Sequence, residues 1–186
     1  MFNKVLIKIA KEFNKSKIRY AVGFSLVLKY YGIVSKAQDI DIVVNEKDYN
    51  KAIEIMNNLG DKIEQEKKVN GFISNFFVEY KVDNVDVDLM SNIKITFGRG
   101  TYAYIFDSKS IGEKVMIDDT EVPLIAIEDL YVLYQLIDGK QEKVEMIEDY
   151  FKKNKVRHKA LLKRTLSQEL PLKVINRSYI LFESKR

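Results

Sequence analysis

Cysteine is absent from the 186 residues of this chain, and histidine occurs once, as His158. The absence of cysteine excludes disulfide bonds, thiolate metal sites and cysteine nucleophiles, and a lone histidine does not make a metal site. No run of 18 apolar residues occurs, which excludes a membrane-spanning helix. Residues 1–10 lack the separate apolar core of a signal peptide. We therefore expect a cytoplasmic protein that has no membrane partner.

Hydrophobic residues make up 46% of the chain, which excludes a wholly disordered protein. The length suits one domain, or one core with a helical appendage. Charge is uneven: residues 1–149 hold 20 basic and 25 acidic side chains, whereas residues 150–186 hold 11 basic and two acidic ones. A basic tail on an acidic body indicates a polyanionic partner, but a solvated pair of basic helices explains the same charges.

Hydrophobic patterning predicts an α/β protein of the α+β type, with a mixed β-sheet flanked by helices. Apolar residues recur every three or four positions in helices, and they alternate with polar residues in strands. Helices are predicted over residues 2–13, 24–31 and 46–59, strands over 18–22, 39–44, 72–80 and 85–90, and a hairpin over 113–124. From residue 127 the pattern is helical. We therefore predict a core over residues 1–124 and a helical C-terminal segment, 125–186, packed on it.

Two motifs that suit phosphate and metal binding follow one another early in the chain. Gly23, Phe24 and Ser25 lie where a predicted strand gives way to a helix. The free amides of a helix start bind phosphate, and a hydroxyl and a small glycine help the ligand to approach. Asp39 and Asp41 follow on the next strand, where alternate residues face the same side. Alone, each motif has a plainer explanation, a simple turn or a solvated strand face.

A second aspartate pair, Asp86 and Asp88, repeats this arrangement on a later strand. Carboxylates that face one way repel each other, and a divalent cation relieves the repulsion. Magnesium prefers carboxylate and phosphate oxygens, and two such ions stabilise an in-line displacement at phosphorus. The ordered combination of a phosphate loop and two acidic strands therefore favours a metal-dependent phosphoryl site over surface decoration.

These motifs resemble the nucleotidyltransferases of the DNA polymerase β superfamily. The resemblance is carried by Gly23-Phe24-Ser25, then thirteen residues, then Asp39-Ile40-Asp41-Ile42, and a later strand with aspartate. It is strongest to small stand-alone bacterial and archaeal members, which are related to lincosamide nucleotidyltransferases and to the nucleotidyltransferases of toxin–antitoxin modules. It covers about residues 1–150, including a segment over 122–130 that is similar to the entry into the helical part.

The resemblance implies a nucleotidyltransferase fold and a magnesium-dependent enzyme that moves a nucleoside monophosphate from an NTP such as ATP to a hydroxyl or phosphate acceptor. The acceptor is left open between a small molecule, a protein and an RNA. Asp39 and Asp41 would bind both of two Mg²⁺ ions. Asp88 would be the third metal ligand and catalytic carboxylate, because it lies in a Val-Asp-Leu-Met pattern typical of small relatives, and Asp86 is the alternative third ligand.

Nucleotide binding is implied for Gly23, Phe24, Ser25 and Lys143. Phe24 stands where relatives usually have a second glycine or a serine, and we expect its bulk to reshape the phosphate site. Lys143 matches a position where a basic residue often contacts phosphate, although pairing with a nearby glutamate explains it equally well. Arg99 lies between two glycines and either reaches a phosphate or acceptor or is simply exposed.

A second hypothesis assigns the protein to a different functional class. A toxin–antitoxin or regulatory component would act mainly by binding a protein or RNA, with a site that is degenerate in catalysis. The basic residues of segment 150–186 favour this hypothesis, because clustered lysine and arginine side chains collect phosphates.

Overall fold

The structure is a computed structural model that describes residues 2–63, 72–98 and 100–183. Its β-strands all precede residue 126 and belong to one mixed sheet. They are β1 (Tyr20–Val22), β2 (Ile40–Val44), β3 (Asp61–Ile63), β4 (Phe72–Val82), β5 (Val85–Phe97), β6 (Gly100–Ala103), β7 (Ile111–Ile117) and β8 (Thr120–Ile125). The strand order is β3-β4-β5-β2-β1-β8-β7, and β6 pairs with the distal part of β5.

The helices flank this sheet and then follow it. They are α1 (Phe2–Lys15), α2 (Phe24–Tyr30), α3 (Tyr49–Leu59), α4 (Ile127–Leu136), α5 (Gln141–Asn154), α6 (Lys159–Leu166) and α7 (Leu172–Glu183). A 3₁₀ turn over Glu46–Asp48 precedes α3, so the helix predicted over residues 46–59 begins as a tighter turn. Among the described residues, no helix is both long and apolar enough to cross a membrane. The predicted α/β class with a mixed sheet is confirmed.

The centre of the sheet combines antiparallel and parallel pairing, which positions the acidic motifs. β2 runs antiparallel to β1 and parallel to β5. In the β2–β5 ladder Asp41 is the register partner of Asp88, and Ile42 is the partner of Leu89. Because side chains alternate along each strand, the two aspartates share one face of the sheet while Ile42 and Leu89 occupy the other. Both apolar residues are fully buried, so the core fixes this register.

The helical segment is attached to the body by ion pairs as well as by apolar packing. Arg157 pairs with Glu113 and Arg164 pairs with Asp107 in the body, whereas Arg177 pairs with Glu148 inside the helical segment. Part of the basic charge of residues 150–186 is therefore neutralised within the protein. Lys153, Lys155 and Lys163 are exposed. Contact of this segment with an RNA or protein partner stays a prediction.

Candidate active site

Three carboxylates, from two neighbouring strands and the loop that enters one of them, converge at the centre of the sheet. Carboxylate oxygens of Asp39, Asp41 and Asp88 all lie within 4.8 Å of one another. Asp39 comes from the loop that enters β2, Asp41 lies on β2, and Asp88 lies opposite it on β5. Asp88 is 8% exposed, and the other two are half-buried. Three close acidic groups repel one another in partly desolvated surroundings, and a bound divalent cation would relieve that repulsion.

Asp86 lies outside this cluster, although it shares a strand with Asp88. Its register partner on the neighbouring strand is Lys81, and the two side chains form an ion pair. The Asp86 side chain is 53% exposed. The geometry therefore favours Asp88 over Asp86 as the third carboxylate.

A fourth acidic side chain next to the cluster was missed by the sequence reasoning. Glu79 on β4 is the register partner of Asp88 and is buried. Asp41, Asp88 and Glu79 therefore form a row across three adjacent strands. A charged residue between Val78 and Tyr80 in an apolar strand is the signal that could have drawn attention to it, because a buried charge needs compensation.

The loop that precedes α2 adjoins the carboxylates, as the order of the motifs predicts. The Ser25 hydroxyl donates a hydrogen bond to Asp39 Oδ1 over 3.3 Å. The Gly23 amide donates to the backbone oxygen of Asp41 over 2.9 Å. The loop and the carboxylates thus form one continuous patch whose ligand groups are carboxylate and hydroxyl oxygens and backbone amides. Oxygen ligands are the set that magnesium prefers, so these residues fit the metal that the resemblance implies.

Phe24 adopts an unusual backbone conformation between these two contacts. Its φ angle is +49°, in the left-handed region that costs an L-residue roughly 1–2 kcal/mol. Its ring makes an edge-on contact with the ring of Tyr134 on α4, with centroids 5.9 Å apart. Phe24 therefore anchors the loop to the helical segment, and this packing offsets the backbone strain.

This strain can be measured by comparing two small residues at position 24. Phe24→Gly and Phe24→Ala both remove the ring, but only alanine keeps a Cβ at positive φ. We expect the glycine variant to be more stable than the alanine variant by about 1 kcal/mol in urea unfolding. At Leu26, inside α2, the order should be reversed. Leu26→Ala should be more stable than Leu26→Gly by a similar amount, because glycine is the poorer helix former. Equal stability of the two variants at position 24 would contradict a strained Phe24.

Lys143 on α5 lies at the edge of the same site. Its Nζ is 5.3 Å from the centroid of the Tyr134 ring, a cation–π contact. Burial, with a smaller contribution from Lys140, lowers the pKa of Lys143, while Asp41 and Asp39 act in the opposite direction. Pairing with a glutamate, the alternative explanation for this lysine, is not found within the described part of the chain. Arg99 lies outside the described residues.

Tyr134 joins Phe24 and Lys143 and was not singled out from the sequence. The residue is 2% exposed, and its hydroxyl has no hydrogen-bond partner among the described residues. Burial raises the pKa of Tyr134, and the charges of Asp41 and Asp39 raise it further. The hydroxyl is therefore a proton-bearing donor that lies within electrostatic reach of the carboxylate cluster.

Solved structures with the same architecture identify the fold. A Thermotoga maritima protein inferred to be a nucleotidyltransferase superposes with a TM-score of 0.63 and 23% identity, over 82% of this chain and 94% of its own. ANT(2″)-Ia, in complex with adenylyl-2″-tobramycin, superposes with a TM-score of 0.57 and 12% identity, over 89% of this chain and 97% of its own. The lincosamide antibiotic adenylyltransferase LnuA, with lincomycin bound, superposes with a TM-score of 0.51 and 18% identity, over 79% of this chain and 96% of its own.

These similarities establish the nucleotidyltransferase fold for this chain. The resemblance that the motifs indicate is thereby confirmed at the level of the fold. No family model matches the sequence, and no curated protein matches it.

Proposed function

We propose that this protein is a magnesium-dependent nucleotidyltransferase that moves a nucleoside monophosphate from an NTP to a hydroxyl or phosphate acceptor. The observation that carries the proposal is the convergence of Asp39, Asp41 and Asp88 beside the Ser25 loop, within a nucleotidyltransferase fold. ATP is the first NTP to test, because two of the structurally similar proteins are described by adenylyl transfer.

The carboxylate cluster is the site that would hold magnesium. Asp39 and Asp41 would bind both ions, and Asp88 would complete the site of the catalytic one. When bound, Mg²⁺ stabilises the charge that develops on the attacking and leaving oxygens. The aspartates hold their positions through the β2–β5 register and the Ser25 hydrogen bond, so little side-chain ordering is needed on binding.

The loop and the lysine would bind and orient the triphosphate. The backbone amides of Phe24 and Ser25 and the Ser25 hydroxyl supply donors next to the metal-binding carboxylates. Lys143 would leave the face of Tyr134 and donate charge-assisted hydrogen bonds to phosphate oxygens. Positive charge at this place offsets the negative charge that the aspartates and the triphosphate bring together.

The reaction itself is a displacement at the α-phosphorus. The acceptor oxygen forms a new bond to phosphorus while the bond from phosphorus to the β-phosphate oxygen breaks, and pyrophosphate leaves. The acceptor hydroxyl loses its proton in this step. Asp88 is the carboxylate that we assign to accept it, because it is the most buried of the three and lies on the strand next to Asp41.

A small-molecule hydroxyl is the acceptor class that the structural relatives favour. One of them holds an adenylylated tobramycin and another holds lincomycin. Protein and RNA acceptors belong in the same experiment, because the exposed lysines of segment 150–186 would suit an anionic partner.

Transfer of label from α-³²P-ATP tests the proposal. We expect Mg²⁺-dependent labelling of one acceptor class in a panel of aminoglycosides, lincosamides, tRNA and cell protein, with release of pyrophosphate. UTP, GTP and CTP would be tested in parallel. An Asp39→Ala, Asp41→Ala double variant is the control and should label nothing. Labelling by that double variant at the rate of the unmodified protein would refute the proposal.

A further inference from the structure

We propose that the Tyr134 hydroxyl donates a hydrogen bond to a phosphate oxygen of the bound nucleotide. The inference rests on the proposed function, and it adds to that function a residue from α4, outside the acidic strands and the Ser25 loop. Three observations carry it: the burial of a hydroxyl without a partner, its position among the site residues, and the chemistry of its surroundings.

The buried hydroxyl is unfavourable in the protein without ligand. Tyr134 is 2% exposed, and within the described part of the chain no acceptor lies in hydrogen-bond range of its hydroxyl. A buried polar group that lacks a partner destabilises the fold, whereas phenylalanine would fill nearly the same space without that cost. Because most buried hydroxyls are satisfied, this one needs an explanation, and an acceptor that arrives with a ligand supplies it.

The position of Tyr134 links it to the nucleotide site. Its ring contacts Phe24 on one side, at 5.9 Å between centroids, and the Lys143 ammonium on another, at 5.3 Å. Both neighbours are residues that we assign to triphosphate binding. Asp41 and Asp39 lie close enough for their charges to act on the Tyr134 hydroxyl. The ring is therefore packed against two residues assigned to triphosphate binding, and its hydroxyl is within electrostatic range of two proposed metal ligands.

The surroundings define the acceptor chemically. A phenol keeps its proton at neutral pH and acts as a donor. Asp39 and Asp41 are the nearby acceptors of the protein, and neither is hydrogen-bonded to Tyr134. A phosphate oxygen is an anionic acceptor that magnesium and Lys143 would bring to this place. Lys143 lies over the same ring, so a phosphate that it binds would be brought next to Tyr134.

Removal of the one oxygen atom tests the inference. Tyr134→Phe is compared with Tyr102→Phe, which removes another fully buried hydroxyl, in surroundings formed by Asp129 and Thr165 instead of the acidic cluster. The binding of Mg²⁺ with α,β-methylene-ATP, which cannot transfer its nucleotidyl group, is measured by calorimetry. Thermal unfolding is measured without nucleotide.

We expect Tyr134→Phe to weaken the binding of this analogue about 10- to 100-fold, the value of one hydrogen bond to a charged acceptor. Tyr102→Phe should bind as the unmodified protein does. Without nucleotide, Tyr134→Phe should unfold at the original temperature or above it, because it loses an unsatisfied group. A phenylalanine variant at position 134 that unfolds several degrees lower would show that the hydroxyl already has a partner, which overturns the inference.

The outcomes separate this inference from the proposed function. If the unmodified protein binds the analogue and Tyr134→Phe binds it within twofold, the role of Tyr134 is wrong while the nucleotidyltransferase proposal stands. If the unmodified protein binds no nucleotide with Mg²⁺, both are wrong. A loss of about 10- to 100-fold that is confined to Tyr134→Phe supports the inference.

Discussion

Replacement of Asp88 by asparagine is expected to reduce nucleotidyl transfer about a thousandfold or more. The amide keeps the size of the side chain but removes the charge that would bind the catalytic metal and accept the proton of the acceptor. Metal-ion stabilisation of transition-state charge is worth several kcal/mol, and each 1.36 kcal/mol corresponds to a factor of about ten in rate. Initial rates of label transfer from α-³²P-ATP measure the effect.

The chain offers a matched control two residues away. Asp86→Asn changes the same chemical group on the same strand, at an exposed position that pairs with Lys81. We expect it to transfer nucleotide within about twofold of the original rate, because exposed ion pairs contribute little. Calorimetric titration with Mn²⁺ should show weakened binding for Asp88→Asn alone. The reverse pattern, with Asp86→Asn inactive, would assign the third carboxylate to Asp86.

Replacement of Arg164 by methionine is expected to lower the free energy of unfolding by about 3 kcal/mol. Arg164 on α6 donates to both carboxylate oxygens of Asp107, over 3.1 and 3.0 Å, and to the Ser110 hydroxyl over 3.0 Å. It also lies 3.9 Å from Asp129, which is fully buried. Methionine fills similar space but leaves both carboxylates without their cation.

The free energy of unfolding that Arg164→Met loses should depend on pH because of Asp129. Burial raises the pKa of Asp129 to about 7, while Arg164 and the hydrogen bonds of Tyr104 and Thr165 partly oppose this rise, and Glu128 adds to it. A folded-state pKa above the unfolded one means that the stabilising contribution is complete at low pH and is lost as pH rises through about 7. Without Arg164 the pKa rises further, so the variant should lose more stability at pH 8 than at pH 5.

Asp107 does not interfere in that pH range. Although burial opposes it, hydrogen bonds from Arg164 and backbone amides hold the pKa of Asp107 below its ordinary value. The contribution of this carboxyl is therefore lost only as pH falls below about 4. Urea unfolding at pH 5 and pH 8 measures the difference, with Lys163→Met, an exposed change in the same helix, as the control. A deficit for Arg164→Met that is the same at both pH values would contradict the role assigned to Asp129.

The sequence was sufficient for the parts of the site that are local. The predicted strand places Asp39 and Asp41 together, and the structure keeps them together although Asp39 lies just before β2; the spacing to Ser25 brings the loop beside them. The resemblance favours Asp88 with Asp86 as the alternative, but the physical distinction between them depends on how β5 pairs with β2 across more than forty residues of chain. Tyr134 was missed for a similar reason, since its contact with the site comes from the packing of α4 on α2.

Prediction of the fold from the sequence is likewise limited to elements with a strong local pattern. Strongly periodic segments such as α1 and the β7–β8 hairpin were predicted from their patterns. The short strands β3 and β6 were not, because three or four residues hold too little periodicity and form by pairing with strands that are already in place. Gly98, with a φ of +48°, permits the turn between β5 and β6, a conformation that the loop signal alone does not specify.

The pairing of β2 with β5 makes the carboxylate cluster a by-product of core formation. Val87 and Leu89, which flank Asp88, are fully buried and pair in register with Ile40 and Ile42. If β5 slipped by one residue against β2, Val87 and Leu89 would turn away from the core. Asp88 would then no longer lie opposite Asp41. A molecule with a misaligned strand would therefore be unstable as well as lack the carboxylate cluster, so the requirement for a stable core preserves the geometry of the three carboxylates. Mutation can remove these aspartates, but Asp41 and Asp88 stay next to each other as long as β2 and β5 keep the register of the folded protein.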